Sequence, residues 1–266
     1  MWLSSPASTA RTIGLALLAS AVGAVTMAGP AHAIAHGEEV PAGAYPFSVS
    51  LSMPKIVESN GTSYASACSG ALIAPQWILT AGHCFHDGDR NRVSGPPRYR
   101  VTATVGQDTL SGDDGITLDV VDVVQGEHAD VALARLAKRV QGVEPLQISG
   151  SEPAPGDVVR LVGWGATDAD GDVTSRPDYK QTGVFTVSRV SGTEVFVTGS
   201  SPSSLTTACS YDSGAPYFTE GKGGSYDLVA TEIGGPACPH ESEETTARSD
   251  VLQSWIQDEI ATDRTK

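Results

Sequence analysis

The sequence is poor in positive charge. Its 266 residues carry 17 Lys and Arg against 31 Asp and Glu, a net charge of −14. That balance argues against nucleic acid or an anionic membrane surface as a partner, because both are held mainly by Lys and Arg. No pair of cysteines has the C-x-x-C spacing of a structural zinc site. His83 and His86 stand three apart with no carboxylate cluster beside them, a weak ligand set, so no metal is expected. Beyond residue 33 no apolar run approaches the ~20 residues needed to cross a bilayer. There is no sequence repeat and no low-complexity tract. A hydrophobic fraction of 40% with 18% charged residues suits a chain with a packed core.

The first 33 residues carry the one long apolar stretch. Arg11 precedes an apolar run from Ile13 to Val25, and the segment closes on Ala31-His32-Ala33. A charged start, an apolar middle and an A-x-A ending read as a secretory signal peptide. The run is too short and too rich in Ala and Gly for a membrane anchor. Cutting after Ala33 leaves 266 − 33 = 233 residues, beginning at Ile34. Arg11 leaves with the signal, so the mature chain is at −15 (−14 − 1). The expected product is secreted, of bacterial type, and free of the membrane. In an exported protein the four cysteines, Cys68, Cys84, Cys209 and Cys238, suggest two disulfides, and four cysteines allow three pairings.

Strand-like runs dominate the remainder: 47–51, 71–73, 77–79, 99–105, 116–124, 158–162, 183–190, 194–198 and 226–233. Short alternating runs separated by Gly, Pro, Asp and Ser indicate an all-β sandwich or barrel. Residues 137–157 read as a connector at which a sub-domain change is plausible, and 199–207 as a loop. Only near the end is the spacing helical. Val251, Leu252, Trp255, Ile256 and Ile260 share one face, and Asp250 with Gln253 resembles a capping box.

Three stretches carry chemistry: CSGALIAPQWILTAGHC (68–84), DVALARL (130–136) and CSYDSGAP (209–216). Each alone has a bland reading: a packed histidine, a strand-start Asp, an Asp-Ser-Gly turn. Together, in the order His, Asp, Ser, they resemble the chymotrypsin/trypsin-like serine protease family. Tyr45-Pro46-Phe47, Gly163-Trp164-Gly165 and Ser254-Trp255-Ile256 extend the resemblance over the whole mature chain. It implies two six-stranded antiparallel β-barrels with a C-terminal α-helix and the site in the cleft between them.

A serine hydroxyl needs a base within hydrogen-bond reach to act as a nucleophile. The resemblance makes Ser213 the nucleophile, His83 the base and then acid, and Asp130 the group that fixes the histidine tautomer. The main-chain N–H groups of Tyr211 and Ser213 would form the oxyanion hole. Tyr211 stands where the family has Gly, and Ala215 replaces another family Gly. The resemblance also pairs Cys68 with Cys84 and Cys209 with Cys238. It implies that a freed Ile34 amine folds inward to pair with Asp212. Since Ala33 abuts Ile34, removal of the signal peptide would itself release that amine.

For specificity, Thr207 falls at the pocket floor where the trypsin branch has Asp. Ala208 lies beside it, and Gly234 with Gly235 forms the pocket edge. Glu244 falls on the pocket wall or on a solvated loop. The solvated orientation is the expectation, and it gives a neutral pocket for medium apolar side chains. Asp168, Asp170 and Asp172 alternate like part of a calcium loop, but position 179 is Tyr where a bidentate Glu is needed. A solvated acidic turn is expected there. The sequence therefore indicates a secreted serine endopeptidase that needs no cofactor and acts on proteins or peptides, with protein protease inhibitors as further partners. Its rivals are an impaired homologue that binds peptides or proteins in the cleft, and an esterase of the same chemistry.

Overall fold

The computed structural model describes residues 1–2, 34–221 and 223–263. The expected signal segment, Met1 and Trp2 excepted, and the cut after Ala33 lie outside the described residues.

A two-residue strand, β1 (Glu38–Glu39), precedes six strands that close on themselves. These are β2 (Ser48–Val57), β3 (Ser63–Ala74), β4 (Trp77–Ala81), β5 (Thr102–Val105), β6 (Ile116–Gln125) and β7 (Val131–Leu136), ringed as β2-β3-β4-β7-β6-β5. Residues 137–157 then run to the second ring and contain the short β8 (Gln147–Ile148). The second ring comprises β9 (Val158–Gly163), β10 (Gln181–Ser191), β11 (Glu194–Ser201), β12 (Pro216–Glu220), β13 (Tyr226–Gly234) and β14 (Glu244–Arg248). They follow the order β9-β10-β11-β14-β13-β12 and return to β9. A 3-10 turn (Asp250–Leu252) leads into α1 (Gln253–Asp263). The fold is two closed six-stranded antiparallel barrels with a C-terminal helix.

Alternation places the cores. In β5 Ala103 and Val105 point inward, and in β11 Val195 and Val197 do. The first barrel is filled by residues such as Leu51, Leu72, Ile78 and Phe85. The second is filled by Ile34, Leu161, Phe185, Val197 and Tyr217. A third cluster joins the barrels: Phe47, Leu79 and Val131 from the first meet Val162, Phe218 and Leu228 from the second, and Leu252 and Ile256 of the helix seal it. Each such buried side chain contributes roughly 1.5–3 kcal/mol, so this cluster holds the two barrels against each other.

Local structure departs from expectation in three places. The loop assigned to 199–207 begins later, because β11 continues to Ser201 and pairs there with Val184. In the second ring β12 and β14 were not anticipated; they are short and mix polar residues with apolar ones. The capping box does not form. Asp250 gives both carboxylate oxygens to the Arg248 guanidinium, at 3.0 and 2.6 Å, and Gln253 reaches the Ile148 carbonyl at 3.4 Å. Val251, expected on the packed face, is exposed.

Candidate active site

Strand register brings His83 to Asp130. In the β4–β7 pair Ala81 stands opposite Val131, so the residues just beyond, Gly82 and Asp130, lie side by side. The Gly82 N–H donates to the Asp130 carbonyl at 3.0 Å. From that anchor Asp130 holds the histidine twice: Oδ1 accepts the His83 main-chain N–H at 2.9 Å, and Oδ2 lies 2.6 Å from Nδ1. Arg92 adds an ion pair, its Nη1 3.2 Å from Oδ1. Burial alone would raise the Asp130 carboxyl, but the His83 hydrogen bond and the His83 and Arg92 charges hold it below the usual carboxylate range. An ionised Asp130 accepts the Nδ1 proton and leaves Nε2 as the basic nitrogen. The Gln125 amide donates to the Gly82, Phe85 and Val93 carbonyls, and the Tyr99 hydroxyl to the Cys84 carbonyl at 2.7 Å. With the Cys68–Cys84 disulfide, these contacts fix the histidine turn.

Ser213 belongs to the second barrel's sequence but hangs from the first barrel. Its carbonyl accepts the Ser69 N–H of β3 at 2.9 Å. Gly214 follows at φ +88°, and a Cβ there would strike Thr80 Oγ1, the Ser69 carbonyl and the Ala81 nitrogen. Only glycine fits that crossing. Ser213, Tyr211 and His83 thereby line one cleft, together with Tyr64.

Tyr211 has φ +75°, in the left-handed region that a side chain resists at a cost of about 1–2 kcal/mol. Two contacts hold it there. Its carbonyl accepts the Ser69 hydroxyl at 3.1 Å, and the Arg176 guanidinium lies 5.5 Å from the ring centre. The expected conflict between a tyrosine and a glycine conformation is thus met without a change of backbone class. Among the described residues, neither the Tyr211 nor the Ser213 N–H has a protein acceptor. Both are free for a ligand oxygen.

Asp212 is fully buried. Its oxygens accept the Gly165 N–H at 2.8 Å and the Cys209 N–H at 3.0 Å. A Cβ on Gly163 or Gly165 would overlap this carboxylate, which gives the Gly-Trp-Gly motif its physical reason. Burial pushes the Asp212 carboxyl up to about 8. Ile34 is wholly buried in the second barrel, and the neighbouring Ala35 exchanges two main-chain hydrogen bonds with Thr207. Among the described residues no hydrogen bond or ion pair joins Ile34 to Asp212. The Cys209–Cys238 disulfide ties the serine loop to the segment before β14.

Beside Ser213 opens a cavity of about 310 Å³, lined in part by Ala208, Gly234 and Gly235. Two sequence expectations change here. Glu244 is not a solvated loop residue: it opens β14 opposite Val197, its side chain is 2% exposed, and it lines the cavity. Its Oε1 accepts the Ala208 N–H at 3.0 Å and lies 3.3 Å from His240 Nε2. Thr207 is buried with its main chain paired to Ala35, and it is Ala208 that faces the cavity. Sequence reasoning missed Glu232 altogether. This buried β13 residue also lines the cavity, taking the Tyr217 hydroxyl at 2.9 Å and the Gly234 N–H at 2.8 Å. The signal was available: a lone acid inside the apolar run Leu228-Val-Ala-Thr-Glu-Ile233. Burial and the neighbouring Glu244 push Glu232 well above the usual carboxylate range, and burial pushes Glu244 up to about 8. Asp168, Asp170 and Asp172 are exposed, and Asp172 Oδ1 accepts the Thr174 N–H at 2.8 Å as a turn cap.

The chain is 26% identical to the macaque (Macaca mulatta) chymotrypsin-like elastase family member 3B, over 87% of this chain and 95% of the relative. It is also 26% identical to the human chymotrypsin-like elastase family member 3A, over 86% and 89% of the two chains. A Corynebacterium glutamicum protein named as a candidate peptidase is 26% identical over 87% of this chain and 75% of its own. The family model described as Trypsin matches residues 34–256. With the two barrels and the His-Asp-Ser arrangement in their cleft, the chain belongs to the trypsin family of serine proteases.

Proposed function

We propose that the chain is a secreted serine endopeptidase that cleaves protein or peptide substrates through an acyl-enzyme on Ser213. The observation that carries this reading is the 2.6 Å contact of His83 Nδ1 with Asp130 Oδ2, which leaves Nε2 as a base in the cleft that Ser213 lines. His83 Nε2 takes the Ser213 hydroxyl proton as Oγ attacks the carbonyl carbon. The carbonyl oxygen becomes negative and takes hydrogen bonds from the Tyr211 and Ser213 N–H groups. One such donor is worth roughly 10²–10³ in rate. His83 passes its proton to the leaving amine, and a water deprotonated by the same nitrogen then releases the acyl group.

Removal of residues 1–33 frees the Ile34 amine, and its ammonium pairs with Asp212. A carboxylate as deeply buried as Asp212 is stabilised by such a partner. A fluorophosphonate probe tests the reading. Covalent labelling of the secreted form that disappears in Ser213→Ala supports it, and a folded protein that never labels refutes it. Tyr211 favours a second reading, a peptide-binding homologue, since the oxyanion amide depends on a tyrosine in a strained left-handed conformation; that homologue binds peptides but does not label.

A further inference from the structure

We infer that Glu232 and Glu244 form a two-carboxylate clamp for one cationic side chain, Lys or Arg, on the residue that donates its carbonyl to Ser213. The inference rests on the reading of Ser213 as nucleophile. It replaces the neutral pocket that the sequence suggests.

Four observations converge. Both carboxylates line the cavity that Ser213 also lines, and among the described residues no Lys or Arg lines it. They stand on paired strands: Glu232 is opposite Thr246, and Glu244 lies two residues before Thr246 on the same strand, so both acids belong to one sheet face. Glu244 Oε2 has no donor among the described residues although the side chain is 98% buried (2% exposed). Gly235 leaves room for that oxygen, since a Cβ there would overlap it. Finally, His240 lies beside Glu244 with Nε2 3.3 Å from Oε1, but its Nδ1 is engaged with the Ser242 carbonyl at 3.1 Å and Nε2 makes no hydrogen bond among the described residues, so it does not satisfy the carboxylate.

Two carboxylates facing one cavity, one of them with an oxygen that has no donor among the described residues, leave acceptors that an apolar side chain cannot satisfy and that an acidic one would repel. A guanidinium or ammonium supplies the missing charge and several N–H donors. The counter-charges stand on the walls, which is why a threonine suffices at position 207. A bound cation favours the ionised form of both carboxylates, and any proton they give up passes to solvent.

The test is cleavage profiling of the secreted protein with peptides that differ only in the residue before the cleaved bond. Cleavage after Arg or Lys at least about 100-fold faster than after Leu or Met is expected. That preference should fall by roughly 100-fold in Glu244→Gln and in Glu232→Gln, each checked for folding by its melting temperature. Equal or better cleavage after neutral residues, or a preference unchanged in both folded variants, overturns the clamp while leaving the Ser213 reading intact. If the protein does not label with fluorophosphonate, the Ser213 reading falls, and calorimetry with benzamidine on Ser213→Ala still judges the clamp. Binding that weakens in Glu244→Gln supports it; no binding overturns it.

Discussion

Asp130 holds His83 by two different atoms, its ring nitrogen at 2.6 Å and its main-chain nitrogen at 2.9 Å. Position and tautomer of the base are therefore set by one carboxylate, which a strand pairing has already fixed. Asp130→Asn separates the two functions. The asparagine oxygen can keep the main-chain bond, but its amide donates to Nδ1 and drives the ring proton to Nε2. Peptide hydrolysis should fall roughly 10³–10⁴-fold at neutral pH, while the melting temperature moves by only a few degrees. A fall of less than tenfold would show that the tautomer is set elsewhere.

The left-handed Tyr211 calls for a pair of variants. Tyr211→Gly relieves about 1–2 kcal/mol of backbone strain and gives up the Arg176 contact, so stability should change little and turnover of small peptides stay within about threefold. Tyr211→Val places a β-branched residue at φ +75°, and turnover should drop by at least about tenfold as the N–H turns away. Steady-state kinetics of both, with a thermal melt for each, decide the matter.

Asp212 predicts different pH behaviour for two forms of the chain. In a form retaining residues before Ile34, the folded carboxyl ionises at about 8 against an ordinary value of 3.8. The unfolded state then loses its proton first, and stability falls as pH rises from about 4 to 8. A form beginning at Ile34 offers an ammonium that keeps Asp212 ionised, and this loss disappears. Glu232 and Glu244 share the sign of the effect but are common to both forms, so they cancel in the comparison. Melting temperatures taken between pH 5 and 8 should diverge by several degrees, at about 2–4 °C for each kcal/mol. Parallel curves would refute the pairing.

Gly165→Ala should be far more damaging than its size suggests. The added methyl overlaps the Asp212 carboxylate, which has no room to withdraw. A loss of at least about 3 kcal/mol is expected. Gly150→Ala, whose Cβ would meet only the flexible end of Gln253 at 3.3 Å, is the control and should cost less than about 1 kcal/mol by chemical denaturation.

How far the sequence carries can be read from particular residues. Alternation is a local property, so runs such as Ile116–Val124 and Tyr226–Ile233 announce their strands before any partner is known. The motifs around His83, Asp130 and Ser213 are equally local, and the family they resemble supplied the two-barrel plan. Glu244 was misread because its environment depends on where the chain turns after Cys238. A slip of one residue in the register of β14 would turn its side chain to the other face of the sheet. Glu232 was missed because an acid in a strand normally marks the solvent face, and only ring closure shows that this position has none. The Asp250 cap failed for a similar reason: Arg248, two residues away, is the stronger partner for its carboxylate.

Ser69 reaches across the cleft with both its amide and its hydroxyl, to Ser213 and to Tyr211. Half of the molecule thus supplies the scaffold on which the other half's reactive turn is stretched. A chain severed in the connector between the rings would yield two fragments that are each inert, since neither can hold that turn alone. Any regained turnover on mixing them would report docking, not the refolding of either piece.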